Sequence, residues 1–242
     1  MSSPITLQDF HAKALADYGI ADLWPEAVLK EAKTKKEHIT KEIDALETFP
    51  FVTIDGEDAK DFDDAIFCEF SDHGFHLKVA IADVSFYVKE GSALDLEAAK
   101  RTTSVYMPKK VVPMLPEKLS NELCSLQPNK RRRCLCIEMD FDKDGYINSY
   151  KFHRGIIKSV ARLTYTEVEN QLINGVKDSD YAESLKAAIA LFNKLIINKG
   201  YRGALDFTIS EPLVQTNSDG DIKHIADRKL SLIHISEPTR LA

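Results

Sequence analysis

Phe51-Val52-Thr53-Ile54-Asp55-Gly56-Glu57-Asp58-Ala59-Lys60-Asp61-Phe62-Asp63-Asp64 is the stretch from which the fold is read. An apolar run from Phe49 to Ile54 precedes the acids, and Ala65-Ile66-Phe67-Cys68-Glu69-Phe70 follows them. Both runs have strand length and strand composition. Between them stand Asp55, Glu57, Asp58, Asp61, Asp63 and Asp64, with only Lys60 of opposite sign. Two carboxylates about 4 Å apart repel by about 4 kcal/mol at an effective dielectric near 20. Several such pairs rival the roughly 5–15 kcal/mol that holds a domain together. The acids therefore splay into water, take up protons, or close on a cation. Hard oxygen ligands at short spacing suit Mg2+ or Mn2+.

A solvated acidic loop is the plain alternative. Three features argue against it. Asp63-Asp64 abuts an apolar strand, Phe62 inside the run needs burial, and Asp55 ends a strand, where its side chain is held rigidly. An EF-hand does not fit, because it needs Gly at its sixth position and Glu at its twelfth. Counted from Asp55, those positions hold Lys60 and Ile66.

The block Thr53 to Ala65 resembles the signature of the ribonuclease II and ribonuclease R family, the RNB catalytic domain. The blocks Ala80-Ile81-Ala82-Asp83-Val84-Ser85, Thr103-Ser104-Val105-Tyr106, Met114 to Leu126 and Ala161 to Val168 resemble the same family. The resemblance implies an α+β fold: an N-terminal helical lead-in over 1–47, then part of an RNB domain over 48–229 with a mixed, mainly antiparallel sheet and helices. It implies that Asp55, Asp61, Asp63 and Asp64 form a Mg2+-dependent (or Mn2+-dependent) catalytic site. It implies a 3′-to-5′ exoribonuclease that hydrolyses single-stranded RNA to nucleoside 5′-monophosphates. Tyr106 is expected to stack on the 3′-terminal base, with Phe207 opposite it. Such stacking is worth about 1–3 kcal/mol per base and is blind to sequence. Arg132, within the basic run Lys130-Arg131-Arg132-Arg133, matches an RNA-contacting arginine of the family.

The resemblance runs from about residue 10 to 228. Residues 230–242 do not resemble the family's next helix and read as a foreign tail. Two other readings stay open: a fragment that holds metal and RNA without turnover, and a metal-dependent phosphatase using Asp61-x-Asp63.

The remaining chain sets broader bounds. With 242 residues and 44% hydrophobic content it can bury a proper core. Its net charge of −6 gives no global sign of nucleic-acid binding, so RNA contacts must be local. Cys68, Cys124, Cys134 and Cys136 lack disulfide or zinc spacing and read as buried free thiols. No signal peptide or membrane span is visible, which suits the cytoplasm. Pro25 opens a predicted helix, Ser92 caps another, Asp142-Lys143-Asp144-Gly145 makes a hairpin turn, and Tyr181 to Lys199 forms a long helix ended by Gly200. Asp219-Gly220 predicts a further hairpin turn, followed by a strand from Asp221 to Ala226.

Overall fold

The computed structural model describes residues 6–37, 44–204, 211–217 and 222–228. In chain order, helix α1 (Leu7–Asp17) and α2 (Glu26–Thr34) lead to strands β1 (Asp44–Ala45), β2 (Val52–Asp55), β3 (Asp64–Ser71) and β4 (Gly74–Ala82). The short α3 (Val84–Tyr87), α4 (Ala93–Arg101) and the small strands β5 (Val105–Met107) and β6 (Lys110–Val112) follow. A π-helical turn, Lys118–Leu123, leads into the long hairpin β7 (Arg131–Asp142) and β8 (Ile147–Lys158). Last come β9 (Ala161–Thr164), α5 (Tyr165–Asn174), α6 (Ala182–Tyr201), β10 (Glu211–Thr216) and β11 (Ile222–Arg228). The Asp219-Gly220 turn lies outside the described residues, whereas β11 overlaps the strand expected after it.

The chain forms two compact units. The smaller comprises Met1–Lys35, Val88–Glu117 and Phe207–Leu230. Its helices begin where the sequence gives them caps. Thr6 and Asp9 form a reciprocal capping box for α1, Pro25 precedes α2, and the Ser92 side chain accepts from the Asp95 amide at the start of α4. Arg101 ties this unit together. Its guanidinium stacks 3.6 Å from the centre of the Trp24 ring, pairs with Glu97 at 2.9 Å, and donates to the carbonyls of Leu23 and Pro113.

The larger unit, Lys36–Tyr87, Lys118–Asp206 and Ser231–Ala242, is built on a seven-stranded sheet in the order β1-β8-β7-β4-β3-β2-β9. Its pairs are antiparallel except β1 with β8 and β2 with β9. This is the mainly antiparallel α+β sheet expected from the sequence. Helix α6 covers one face, where Ala187 and Leu191 pack with Cys68, Phe75 and Phe141. Towards β2 and β9 the core passes to Val52, Leu163, Val168 and Leu185.

Gly74 permits the close approach of β4 to the end of β7, since a side-chain carbon there would lie 2.3 Å from the Phe141 carbonyl oxygen. All four cysteines are free and buried. Burial pushes the thiols of Cys68, Cys124 and Cys134 up to about 12 and that of Cys136 to about 11, so they pack as small apolar groups. One expected boundary moves. Helix α6 continues through Gly200 to Tyr201, and the left-handed turn falls on Gly203.

A polar cluster lies on the other face of the hairpin sheet. Lys78 is buried and pairs with Glu138 directly across the strands. Glu138 also meets His76 at 2.8 Å and His153 at 2.6 Å. The second nitrogen of each ring faces a further acid, Asp140 for His76 (2.7 Å) and Asp44 for His153 (2.8 Å). Three cation-capable groups therefore converge on one carboxylate. Burial works against the Glu138 charge, but the bonds from Lys78 and His153 outweigh it and hold its pKa down to about 2.

Candidate active site

The four aspartates sit where two strands part. β2 and β3 pair only through Val52 and Ile66, and beyond that point the chain opens into the loop 56–63. Asp55 is the last residue of β2 and Asp64 the first of β3, so the two strand ends carry the outer pair. Asp61 and Asp63 lie on the loop between them. The single paired position explains why the acids can share one end of the sheet without being forced into contact.

The loop is held by hydrogen bonds to its backbone. The Phe62 amide donates to Ser125 Oγ at 3.1 Å, and that hydroxyl donates to the Lys60 carbonyl at 3.1 Å. The Leu126 amide donates to the Phe62 carbonyl at 2.8 Å, and the Ala82 amide to the Asp63 carbonyl at 2.8 Å. Arg162 of β9 donates to the carbonyls of Gly56 and Glu57, the latter at 2.8 Å. Phe62 is half-buried, with the Arg162 guanidinium 5.6 Å from its ring centre.

The electrostatics register the crowding. Burial pushes Asp55 up to about 7, helped by the charges of Asp64, Asp61 and Asp63 and opposed by Arg162. Asp63 still meets solvent, yet the protein packed around its carboxyl, with Asp61 and Asp64, pushes it up to about 6. Asp55 Oδ2 is buried without a hydrogen-bond partner. A buried carboxylate oxygen left unpaired costs free energy that a cation would return. Among the described residues, no three His, Cys, Asp or Glu side chains are already drawn into a metal-holding arrangement. The all-oxygen donor set and the orphaned Asp55 oxygen fit a hard divalent ion.

The linkage gives a testable pH dependence. Both carboxyls have folded-state values raised above the ordinary carboxylate value of 3.8. Their contribution to stability is thus fully present below that value and lost as pH rises through about 6 and 7. The metal-free chain is expected to melt at a lower temperature at about pH 8 than at about pH 5. Saturating Mg2+ should raise the melting temperature at the higher pH and change it little at the lower one. Thermal melts with and without Mg2+ at both pH values check this; equal Mg2+ effects at both would contradict it.

The other expected site residues lie on other segments of the chain. Tyr106 lies on β5 in the smaller unit and is 67% exposed. Phe207 lies outside the described residues. The basic run is not the open cationic patch that its sequence suggests. Arg131 pairs with Glu47, and Arg133 lies 3.7 Å from the Asp83 carboxylate and stacks on Phe86. Arg132 is buried, pairing with Glu37 at 3.0 Å and donating to the Ser125 carbonyl at 3.0 Å. Each arginine of the run thus balances an acid of this chain. Asp83 is buried, with its carboxylate 3.1 Å from the Arg154 guanidinium and 3.7 Å from that of Arg133.

Sequence reading missed Arg162. Its signal was present: a lone arginine in a strand otherwise apolar or small, leading directly into a capped helix.

Comparison with known proteins accords with this architecture. The RNB domain model matches residues 43–242, through the stretch that the sequence reading sets apart as foreign. Ribonuclease R of Acidithiobacillus ferrooxidans is 44% identical over 202 residues, covering 80% of this chain and 46% of that protein. The structure of Mycoplasma genitalium RNase R in complex with double-stranded RNA superposes with a TM-score of 0.88 at 30% identity, covering 95% of this chain and 42% of that one. The same enzyme in complex with ribose-methylated single-stranded RNA gives 0.86 at 32% identity, covering 93% and 36%. The chain thus spans less than half the length of these relatives. Among the described residues, no helix is long and apolar enough to cross a membrane. With the family model matching most of its length, the chain belongs to the RNB domain family.

Proposed function

We propose that this chain carries the metal-binding portion of a 3′-to-5′ exoribonuclease that hydrolyses single-stranded RNA to nucleoside 5′-monophosphates. One observation carries the reading: four aspartates stand between the end of β2 and the start of β3 in an RNB domain, two of them with raised proton affinity and one with an orphaned oxygen. Asp55, Asp61, Asp63 and Asp64 would hold Mg2+ or Mn2+. A bound ion of this kind lowers the pKa of a water and offsets charge on a leaving oxygen.

The chain's own residues do the rest. Asp55 fixes one side of the site from the rigid end of β2. Asp63, partly open to water, can accept a proton from an attacking water molecule. The exposed ring of Tyr106 offers a face to the 3′-terminal base, and Phe207 is its proposed counterpart. The RNA seen with M. genitalium RNase R supports RNA as the substrate class, and the complex with single-stranded RNA supports that form.

A second reading stands beside it. In it the acidic loop and Tyr106 hold metal and RNA without turnover. Incubating 5′-labelled single-stranded RNA with Mg2+ and the purified chain separates the two. A ladder shortening from the 3′ end supports the nuclease. RNA retention without shortening supports the binder. Phosphate release from a small monoester, with RNA left intact, would overturn both in favour of a phosphatase.

A further inference from the structure

We infer that Arg162 is a positioning residue of the acidic site, setting the separation between Asp55 and the Asp61–Asp64 arm so that both can reach one cation. The inference rests on the metal-site reading above.

The geometry begins with strand register. In the parallel β2–β9 pair, Thr53 lies opposite Arg162 and Asp55 opposite Thr164. Val52, Ile54 and Leu163 point into the core, so alternation sends Thr53, Asp55 and Arg162 to the other side together. On that side three polar atoms are buried without hydrogen-bond partners: Thr53 Oγ1, Asp55 Oδ2 and Arg162 Nε. Three orphans on one small patch are unusual, since buried polar atoms are overwhelmingly satisfied. They mark a place where packing alone does not account for the side chains chosen.

Arg162 touches both ends of the loop. Its Nη2 donates to the carbonyls of Gly56 and Glu57, the two residues directly after Asp55. Its guanidinium also lies near the ring of Phe62, between Asp61 and Asp63. A second tie comes from the same segment, where Thr166 Oγ1 donates to Glu57 Oε1 at 2.6 Å. The planar fork can hold two adjacent carbonyls at once, which a lysine ammonium on a flexible stem does not reproduce. Its fixed positive charge, held against the loop backbone, also offsets the repulsion of the neighbouring acids before any cation arrives. Groups that orient ligands from behind typically change metal affinity by about 10–100-fold when altered.

The test uses the full chain and a direct readout of binding. Mn2+ affinity is measured by calorimetry and by electron paramagnetic resonance for wild type, Arg162→Lys and Arg162→Gln, with folding checked by circular dichroism. Arg162→Lys keeps the charge, so it is the variant expected to fold if Arg162→Gln does not. The expected result is a folded Arg162→Lys chain whose Mn2+ dissociation constant rises by about tenfold. A merely structural arginine would lower the melting temperature and leave the affinity of the folded chain unchanged, and that outcome overturns the inference. Failure of the wild type itself to bind Mn2+ would instead sink the metal-site reading beneath it.

Discussion

Replacing Asp63 by asparagine is expected to lower Mg2+-dependent RNA shortening by at least about 10²–10³-fold, the usual cost of removing one preorganised electrostatic group from a reacting centre. The same replacement should leave the metal-free fold intact and, above about pH 6, make it more stable. The reason lies in the raised value of about 6 for this carboxyl. Its charged form is resisted by the packing around it and by Asp61 and Asp64. Asparagine has nearly the same shape and no charge, so it resembles the protonated acid that the fold prefers. The backbone bond from Ala82 to the Asp63 carbonyl does not involve the side chain and survives. Activity and stability thus move in opposite directions, as is common where a site is built from mutually repelling groups. Urea denaturation beside the RNA ladder assay checks both at once. A variant that still shortens RNA would remove Asp63 from the site, and one that unfolds would contradict the electrostatic account.

Glu138→Gln is expected to cost about 3–5 kcal/mol of stability, the penalty for leaving a buried charge without its partner. Lys78 is the charge at issue. It is 4% exposed, and Glu138 is its carboxylate partner across the β4–β7 pair. The Phe49 ring, 4.6 Å from the ammonium, offers a weaker compensation. The histidines would lose as well, since His76 and His153 each give one ring nitrogen to Glu138. For a chain of this size the melting temperature should fall on the order of 10 °C. The pH dependence has a definite sign. Glu138 is held at about 2, below its ordinary 4.5, so its stabilisation is present above 4.5 and lost as pH falls towards 2. The wild type should therefore lose its advantage over Glu138→Gln across that acid range. Parallel melts of the two chains would show a gap that closes with acid; a constant gap would mean that Glu138 acts through packing alone.

The readable parts of the sequence are those governed by neighbours in the chain. The capping box Thr164-x-x-Glu167 announces α5, Ser92 announces α4, and Asp142 to Gly145 announces the β7–β8 hairpin. The acidic block and its flanking strands are legible for the same reason, because strand, loop and strand lie within about twenty residues. The long helix begins within a residue of Tyr181, where the sequence places it, but its buried face depends on what it packs against. Ala187 and Leu191 face the core, while Ile196 remains 39% exposed, because the sheet beneath α6 decides which side is covered. What depends on distant partners stayed hidden. Nothing near Val52 signals that it will lie beside Ala161, so the placement of Arg162 against Gly56 and Glu57 was invisible. The pairing of the basic run stayed hidden for a related reason. Arg131, Arg132 and Arg133 look like a cationic surface until Glu47, Glu37 and Asp83 are brought to them from far along the chain.

The pairing of β2 with β9 has a consequence for how the molecule is made. Synthesis delivers the aspartates ahead of the strand that seats Asp55, which emerges from the ribosome only after the whole hairpin region has been translated. Contacts so remote in sequence close slowly, after local hairpins have formed. The acids of a nascent polypeptide therefore stay unassembled until β9 has paired with β2, and capture of an ion waits on that late pairing.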